Sequence, residues 1–300
     1  MKGIKKAIPW WLKIGIKIVL ARLPIYYAFW KRIGMFEHGD MNQPQRALEI
    51  FIEHARTADV IIDEGSRPQF KTQDDNYTVL ELGPGDSLFT AVIAKSLGAS
   101  KIWLVDAGSY ATTAMQPYAD LIDYLRKQSL SAALNGPPQT LMDLLKVCRA
   151  EYLTEGVRSL TNMPSNSVDY CFSNAVLEHI PKGDFVLLVK ELYRVMKPDG
   201  VSSHCVDLRD HLGGSLNNLR FTEATWEGAL FRKSGFYTNR IRFGEIIALF
   251  EHAGFDCQIS RVVRWDALPT PRAKLDEAFR HLREDHLLIS IFDLILRRKS

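Results

Sequence analysis

The stretch that decides the fold is Tyr77-Thr-Val-Leu-Glu-Leu-Gly-Pro-Gly-Asp86. Its first six residues form an apolar run of strand length that is rich in β-forming side chains. Gly83 and Gly85 then let the chain reverse sharply and approach a ligand without an intervening Cβ. A helix is expected from about Ser87 to Leu97, and it would open over that ligand. This order of strand, glycine turn and helix predicts a ligand pocket at the turn.

A second strand, Lys101-Ile-Trp-Leu-Val-Asp106, follows the predicted helix and ends in a carboxylate. Asp106 lies about 20 residues beyond the glycines, where a carboxylate in a βαβ unit accepts hydrogen bonds from ribose hydroxyls. A dinucleotide is disfavoured because Leu88 and Phe89 stand at the third glycine position of that fingerprint, and because Glu81 would repel a pyrophosphate. A ligand with a ribose, an ammonium group and no phosphate fits better. S-adenosylmethionine has that chemistry.

Two further segments extend the pattern along the chain. Ser167-Val-Asp-Tyr-Cys-Phe-Ser-Asn-Ala-Val-Leu-Glu-His179 reads as a buried strand that ends in small polar residues. Beyond it, a helix that includes Glu191 is stopped by Pro198 and Gly200 before another strand begins. The chain therefore continues the alternation of strand and helix that builds a parallel sheet.

With these motifs in order, the chain resembles the class I S-adenosylmethionine-dependent methyltransferases, in the branch that carries Leu-Glu-His after the fourth strand. The resemblance covers roughly Tyr77 to Val206. It implies an α/β, Rossmann-like, doubly wound sheet of seven strands in the order 3-2-1-4-5-7-6, with the last strand antiparallel. The closing strands are expected at Phe255 to Val263 and His286 to Leu296. The expected cofactor-binding residues are Glu81, Gly83, Gly85, Asp86, Asp106 and Asn174.

Two of these residues have a competing structural interpretation. Asp86 either contacts the methionine moiety or caps the following helix, and Asn174, with Ser173, is also suited to capping. The acid that contacts adenine after the third strand in this family has no clear counterpart, since Glu155 aligns poorly with the family pattern.

The composition suits one large α/β domain with added segments, since 46% of residues are hydrophobic and 24% are charged. We expect a helical, basic and aromatic extension over residues 1–70 and a methyltransferase domain over residues 71–300, with insertions at about 112–149 and 207–240. The four cysteines are scattered along the sequence, and we expect them to be buried thiols. The net charge of +3 is too small to indicate a nucleic-acid partner.

Candidate catalytic residues follow the fourth and fifth strands, where the acceptor would meet the cofactor. Transfer to a hydroxyl requires a base, for which His179 and His211 are the candidates. Asp207 and Asp210 could orient such a base, or could join His211 as ligands of a divalent metal such as magnesium. In the interpretation without a catalytic role, His179 belongs to a first helical turn and the segment after the fifth strand is a solvated loop.

The acceptor is less well defined than the cofactor. The segment from His204 to Arg242 resembles a bacterial methyltransferase group associated with polysaccharides and glycoconjugates. That resemblance implies O-methylation of a small-molecule, sugar or glycolipid precursor. A quinone or other lipid-like phenol is the alternative acceptor, and a catalytically silent cofactor-binding scaffold is the alternative from another class. The sequence leaves the oligomeric state open.

The N-terminal residues 1–33 combine Trp, Tyr, Ile and Leu with Lys and Arg. Lys13, Lys17, Arg22 and Pro24 argue against a membrane-spanning helix, which needs about 20 apolar residues. One interpretation is a basic amphipathic helix that lies on an anionic membrane surface. The other is a helix that covers the protein core or a dimer interface. We therefore expect a cytoplasmic protein, with peripheral association at the inner membrane face under the first interpretation.

Overall fold

The computed structural model describes residues 9–22, 42–64, 67–71, 76–130 and 138–299 of the 300-residue chain. Parts of the expected N-terminal extension, residues 1–8 and 23–41, lie outside the described residues. So do residues 131–137, inside the first insertion.

Nine strands are present in the described residues, two in a hairpin and seven in a central sheet. In chain order they are β1 (Ile61–Glu64), β2 (Arg67–Phe70), β3 (Thr78–Leu82), β4 (Lys101–Val105), β5 (Ala150–Leu153), β6 (Val168–Asn174), β7 (Met196–Asp207), β8 (Phe255–Arg264) and β9 (Ile289–Arg298).

The central sheet has the order β5-β4-β3-β6-β7-β9-β8. Neighbouring strands from β5 to β7 are parallel, whereas β9 runs antiparallel to both β7 and β8. Counted from β3 as the first strand, the order is 3-2-1-4-5-7-6. The predicted doubly wound sheet, with its last strand antiparallel, is therefore confirmed. The carboxyl ends of β3, β4, β6 and β7 meet at one edge, which is where such sheets bind ligands.

Helices cover both faces of the sheet. The longer helices are Trp10–Arg22, Pro44–Thr57, Phe89–Ser96, Gln116–Lys127, Leu141–Cys148, Lys182–Val195 and Phe243–His252. The single-turn α-helices are Glu223–Trp226, Ala229–Arg232, Glu277–Arg280 and Glu284–Leu287. The 3₁₀ turns are Gly156–Asn162, Leu177–His179, Asn217–Arg220 and Arg272–Lys274.

Alternate side chains of each central strand enter different hydrophobic cores, as the two-residue period of a strand requires. Val79 and Phe172 lie in the core beneath the Pro44–Thr57 and Phe89–Ser96 helices. Leu80 belongs to the opposite core, which the Lys182–Val195 and Phe243–His252 helices cover. Burial on both faces explains why these strands read as continuous apolar runs in the sequence.

Residues 61–70 differ from the sequence prediction, which treated residues 1–70 as helical. They form the antiparallel hairpin of β1 and β2, in which Ile61 pairs with Phe70. Both side chains are buried, and the Phe70 ring stacks on Tyr77 with a centroid distance of 4.3 Å. Packing against the start of β3 therefore outweighs the local preference of this segment.

The second insertion, at 207–240, folds around its own small core. Trp226 is fully buried in it, and its indole Nε1 donates a hydrogen bond to the Thr238 carbonyl at 2.7 Å. Ile14 of the Trp10–Arg22 helix packs into the same core. This contact supports the interpretation that the N-terminal helix covers protein. Within the described ranges, no helix has the length and apolar character that crossing a membrane demands.

Gly83 provides a test of this architecture, because its φ is +71° and a Cβ built on it would lie 2.4 Å from a Val176 methyl group. We expect Gly83→Ala to lower the free energy of unfolding by about 2–4 kcal/mol through backbone strain and overpacking. Chemical denaturation measures this value.

Gly98→Ala is the matched control, since Gly98 has φ +100° and a Cβ added there would meet no heavy atom within 4 Å. Gly98→Ala should lower the free energy of unfolding only through backbone strain at this positive φ, without overpacking. Adding Val176→Ala to Gly83→Ala should recover part of the loss. If the changes in unfolding free energy of the two single substitutions simply add in the double variant, the Gly83–Val176 approach does not constrain the fold.

Candidate functional site

The glycine turn after β3 brings backbone and carboxylate groups together at the ligand edge. Gly83 and Gly85 have φ values of +71° and +68°, which only glycine adopts without strain. The Gly83 N–H donates to the Val105 carbonyl at 2.8 Å. The Gly85 N–H donates to one Asp106 carboxylate oxygen at 2.8 Å, and the Ala107 N–H donates to the other at 2.7 Å. Asp106 is thereby fixed beside the turn.

Glu81 lies at the end of β3, just before this turn, and is 3% exposed. Its Oε2 atom has no hydrogen-bond partner among the described residues. Burial, together with the nearby Asp106 carboxylate, raises the pKa of Glu81 to about 8. A buried carboxyl group in this condition favours a cationic ligand group, which would allow it to ionise.

Asp86 and Asn174 occupy the same edge. Asp86 is fully buried, and its carbonyl accepts a hydrogen bond from the Thr112 N–H at 2.9 Å. The helix that follows has Leu88 as its N-cap residue, two positions after Asp86. Asn174 is the last residue of β6 and is half-buried.

These residues fit S-adenosylmethionine. The partnerless Glu81 oxygen suits the ammonium group, and Asp106 suits the ribose hydroxyls. The positive φ values of Gly83 and Gly85 form the turn that brings the backbone beside Glu81 and Asp106. The assignment of each residue to a part of the cofactor remains a prediction.

The two predicted base candidates, His179 and His211, lie together beyond the carboxyl ends of β6 and β7. His179 ends the 3₁₀ turn after β6, and His211 lies in the loop after β7. Their rings stack with a centroid distance of 4.8 Å, and their Nε2 atoms are 3.1 Å apart. Sequence reasoning named both residues but did not predict this contact.

The hydrogen bonds assign the protons of the pair. His179 Nδ1 lies 3.1 Å from the Tyr237 carbonyl, which can only accept, so Nδ1 carries the hydrogen. Nε2 of His179 is then an acceptor for the Nε2–H of His211. In the neutral pair this leaves the Nδ1 lone pair of His211 as the basic site. Burial, with the positive charge of Lys17, lowers the pKa of His211, which keeps that site unprotonated at neutral pH.

Asp207 and Asp210 lie in the same loop region, but their hydrogen bonds go elsewhere. The Asp207 carboxylate forms a bidentate pair with Arg209, with distances of 2.8 and 2.6 Å. The Asp210 carboxylate accepts four backbone N–H groups, those of residues 212, 213, 215 and 217. Asp210 therefore shapes the loop that carries His211, and the predicted direct pairing of either carboxylate with a histidine is not made.

The divalent metal that the sequence allowed has no site among the described residues, where no group of three or more His, Cys, Asp or Glu side chains could hold an ion. His204, which precedes Asp207 on β7, does not contribute to a metal site in the described part of the chain. It is fully buried, and its Nδ1 lies 2.8 Å from the Ser173 hydroxyl. Burial lowers the pKa of His204 to about 3, so it is a neutral core residue.

Sequence reasoning missed His54, which lies in the Pro44–Thr57 helix and reaches the ligand edge from outside the sheet. Its Nδ1 is 2.7 Å from the Ser203 hydroxyl of β7, and its ring interacts with the Asn174 side chain of β6. Burial lowers its pKa. The only available signal was its place on the apolar face of an amphipathic helix, next to Phe51.

Glu178, the glutamate of the Leu-Glu-His motif, lies in the 3₁₀ turn after β6. It is 2% exposed, and neither carboxylate oxygen has a hydrogen-bond partner of ordinary geometry among the described residues. Burial raises its pKa well above the usual range. Burial therefore disfavours the ionised form of Glu178, which lies beside the histidine that follows it.

Comparison with known proteins agrees with the fold. Residues 80–203 match a family model described as a methyltransferase domain. Among curated proteins, none matches the chain. Together with the confirmed strand order, this match over residues 80–203 supports an S-adenosylmethionine-dependent methyltransferase domain with the class I fold.

Several solved structures are similar at low sequence identity. The YcgJ protein of Bacillus subtilis is 15% identical, with a TM-score of 0.40, 85% of this chain covered and 100% of that one. The phosphoethanolamine N-methyltransferase 2 of Haemonchus contortus, bound to S-adenosylhomocysteine, is 16% identical, with a TM-score of 0.40 and coverages of 77% and 50%. The 1,6-didemethyltoxoflavin-N1-methyltransferase of Burkholderia thailandensis is 13% identical, with a TM-score of 0.40 and coverages of 85% and 84%. The present chain thus spans half the length of the Haemonchus enzyme. Similarity at this level carries no argument about substrate.

The protonation of Glu81 can be tested through cofactor binding. At pH 7 its pKa of about 8 leaves the free carboxyl mostly protonated, and a bound ammonium group would lower that pKa. Binding at pH 7 should therefore release about one proton, and affinity should rise with pH towards 8. Calorimetry in two buffers of different ionisation enthalpy counts the protons. Glu81→Gln should release none, and equal release by both proteins would contradict the assignment.

His54 should act as a positioning residue for the β6 edge. His54→Ala removes the bonds to Ser203 and Asn174, and we expect it to weaken S-adenosylhomocysteine binding about tenfold, or 1.4 kcal/mol. His252→Ala, which alters an exposed histidine, is the control. Thermal unfolding measured beside the titration separates a binding effect from a loss of folded protein. Unchanged affinity in folded His54→Ala would refute the role.

Proposed function

We propose that the protein transfers a methyl group from S-adenosylmethionine to a hydroxyl oxygen of a sugar or glycolipid precursor. The observation that carries this proposal is the His179–His211 pair, which supplies a neutral imidazole base at the acceptor side of the cofactor edge. An oxygen acceptor needs such a base because its proton must leave as the new bond forms.

When bound, S-adenosylmethionine supplies an activated methyl group to an acceptor held in line with it. The protein's own part is to orient the acceptor hydroxyl and to take its proton. Nδ1 of His211 receives that proton, which makes His211 an imidazolium. Its Nε2–H then donates to His179, whose Nδ1–H donates in turn to the Tyr237 carbonyl. This relay stabilises the positive charge that develops on His211.

The sugar class of the acceptor rests on the sequence resemblance of the segment from His204 to Arg242. Several polar residues of that segment form hydrogen bonds inside the protein. Asn239 donates to the Leu177 and Ile180 carbonyls, Arg240 binds the Phe221 carbonyl and Glu223, and fully buried Arg242 binds the carbonyls of residues 208, 287 and 289. These residues build the wall of the acceptor side.

An acceptor survey tests the proposal directly. The protein would be incubated with methyl-labelled S-adenosylmethionine and a panel of free sugars, lipid-linked saccharides, catechols and hydroquinones. Label in a methyl ether of a sugar, identified by mass spectrometry after hydrolysis, supports the proposal. Label in the phenols alone would favour the quinone-type acceptor. Cofactor binding without transfer to any member would favour a silent scaffold.

The base assignment makes a separate prediction. His211→Ala should lower the rate of methyl transfer about 10²- to 10⁴-fold because it removes the proton acceptor. His179→Ala should have a smaller effect, since it removes only the partner that stabilises the imidazolium. Because the lowered pKa of His211 keeps the base form at mildly acidic pH, the wild-type rate should fall only below about pH 6.5.

His252→Ala serves again as the exposed-histidine control and should retain the wild-type rate. Cofactor affinity measured on each variant separates loss of the base from damage to the cofactor edge. Full methyl-transfer rates in both His179→Ala and His211→Ala would show that this pair is not the base.

A further inference from the structure

Positive charge is concentrated at the start of the chain. Residues 1–33 contain eight Lys and Arg side chains and no Asp or Glu. The whole chain has 38 basic and 35 acidic residues, so the remaining residues carry 30 basic against 35 acidic side chains, a net charge of −5. The chain is thus a mildly acidic protein with a strongly basic N-terminal segment. Such an asymmetry favours binding to an anionic surface through that segment.

One face of the Trp10–Arg22 helix is fixed to the protein. Ile14 is buried in the core of the second insertion. The Trp10 ring lies edge-on to Phe221 with a centroid distance of 6.1 Å, and the Arg220 guanidinium lies over it at 5.0 Å. These contacts hold the helix in one orientation, so that its other face is defined.

The exposed part of the helix presents large apolar side chains to the exterior. Trp11 is 60% exposed, Leu12 is 41% exposed and Ile16 is 39% exposed. A helix that packs on a protein by one face ordinarily carries polar residues on the other. Here, Trp and aliphatic residues stand where polar residues are expected, within a basic segment. We call Trp11, Leu12 and Ile16 the outer face.

We propose that the outer face docks onto an anionic phospholipid bilayer. Its apolar side chains would enter the boundary between headgroups and acyl chains, while the basic residues of the segment bind the anionic headgroups. Charge complementarity favours this occupant over a second copy of the chain, because a second copy would bring an identical basic segment to the contact. The docking does not require the proposed reaction.

The Trp10–Arg22 helix contacts the loop that carries His211, and this contact links the docking to the proposed reaction. Lys17 Nζ donates a hydrogen bond to the His211 carbonyl at 3.2 Å. The helix that meets the bilayer is therefore the one that touches the loop carrying the proposed base. This arrangement places the acceptor side close to the membrane surface and suits an acceptor with a lipid anchor. This second part rests on the proposed function.

Vesicle sedimentation tests the docking. Wild-type protein should pellet with vesicles of phosphatidylglycerol and phosphatidylcholine but not with phosphatidylcholine alone. The triple variant Trp11→Ser, Leu12→Ser, Ile16→Ser should bind the anionic vesicles at least about tenfold more weakly. The control Met142→Ser, Val147→Ser alters exposed apolar residues on the Leu141–Cys148 helix and should bind as wild type does. All altered residues are exposed, and thermal unfolding verifies that each variant is folded.

Two outcomes overturn the docking. Absence of wild-type binding to anionic vesicles would refute it, as would equal binding by the outer-face variant. Sedimentation equilibrium on the same proteins identifies the competing occupant: a dimer that the outer-face variant dissociates would assign this face to a second copy.

The neighbouring tryptophans Trp10 and Trp11 allow a measurement that needs neither cofactor nor acceptor, so its failure is distinguishable from failure of the proposed reaction. Lipids brominated on their acyl chains quench indoles that enter the bilayer. In a Trp30→Phe background, adding Trp11→Phe should abolish most of the quenching, and adding Trp10→Phe should preserve it. Equal quenching in both variants would contradict the orientation of the helix.

Discussion

The close approach of Gly83 to Val176 is the constraint on which the ligand edge depends. A side chain at position 83 would overlap the methyl groups of Val176, so the turn after β3 can lie against the turn after β6 only because residue 83 is a glycine. The first turn holds the cofactor-side residues Glu81 and Asp106. The second turn leads through Ala175, at φ +55°, to His179. The absence of a Cβ at residue 83 thus lets the turn beside Glu81 and Asp106 pack against the turn that leads to His179.

The cofactor side was predictable from sequence because it is built locally. Strand, glycine turn, helix and second strand follow one another within 30 residues, and each has a backbone preference that its residues reveal. The hairpin of β1 and β2 was missed for the opposite reason. Its strands are four residues each and are stabilised by the burial of Phe70 against Tyr77, a tertiary contact that no local preference reports.

The acceptor side depends on long-range contacts and could be predicted only as a set of residue types. The bonds from His179 to Tyr237, from His211 to His179 and from Lys17 to His211 join residues 58, 32 and 194 positions apart. Sequence reasoning selected the histidines but supplied the wrong partners for them. Asp210 looked like an orienting acid or a ligand, whereas its carboxylate accepts four backbone N–H groups that fold the loop.

We expect S-adenosylmethionine to bind at the glycine turn after β3, beside Asp106 at the end of β4. Calorimetric titration of the purified protein with S-adenosylhomocysteine, beside NADH and beside an Asp106→Ala variant, tests it most directly. The account predicts saturable one-to-one binding of the sulfur nucleotide, weakened about tenfold or more in the variant through loss of a charged hydrogen-bond acceptor. Binding of NADH with no response to the sulfur nucleotide would contradict it.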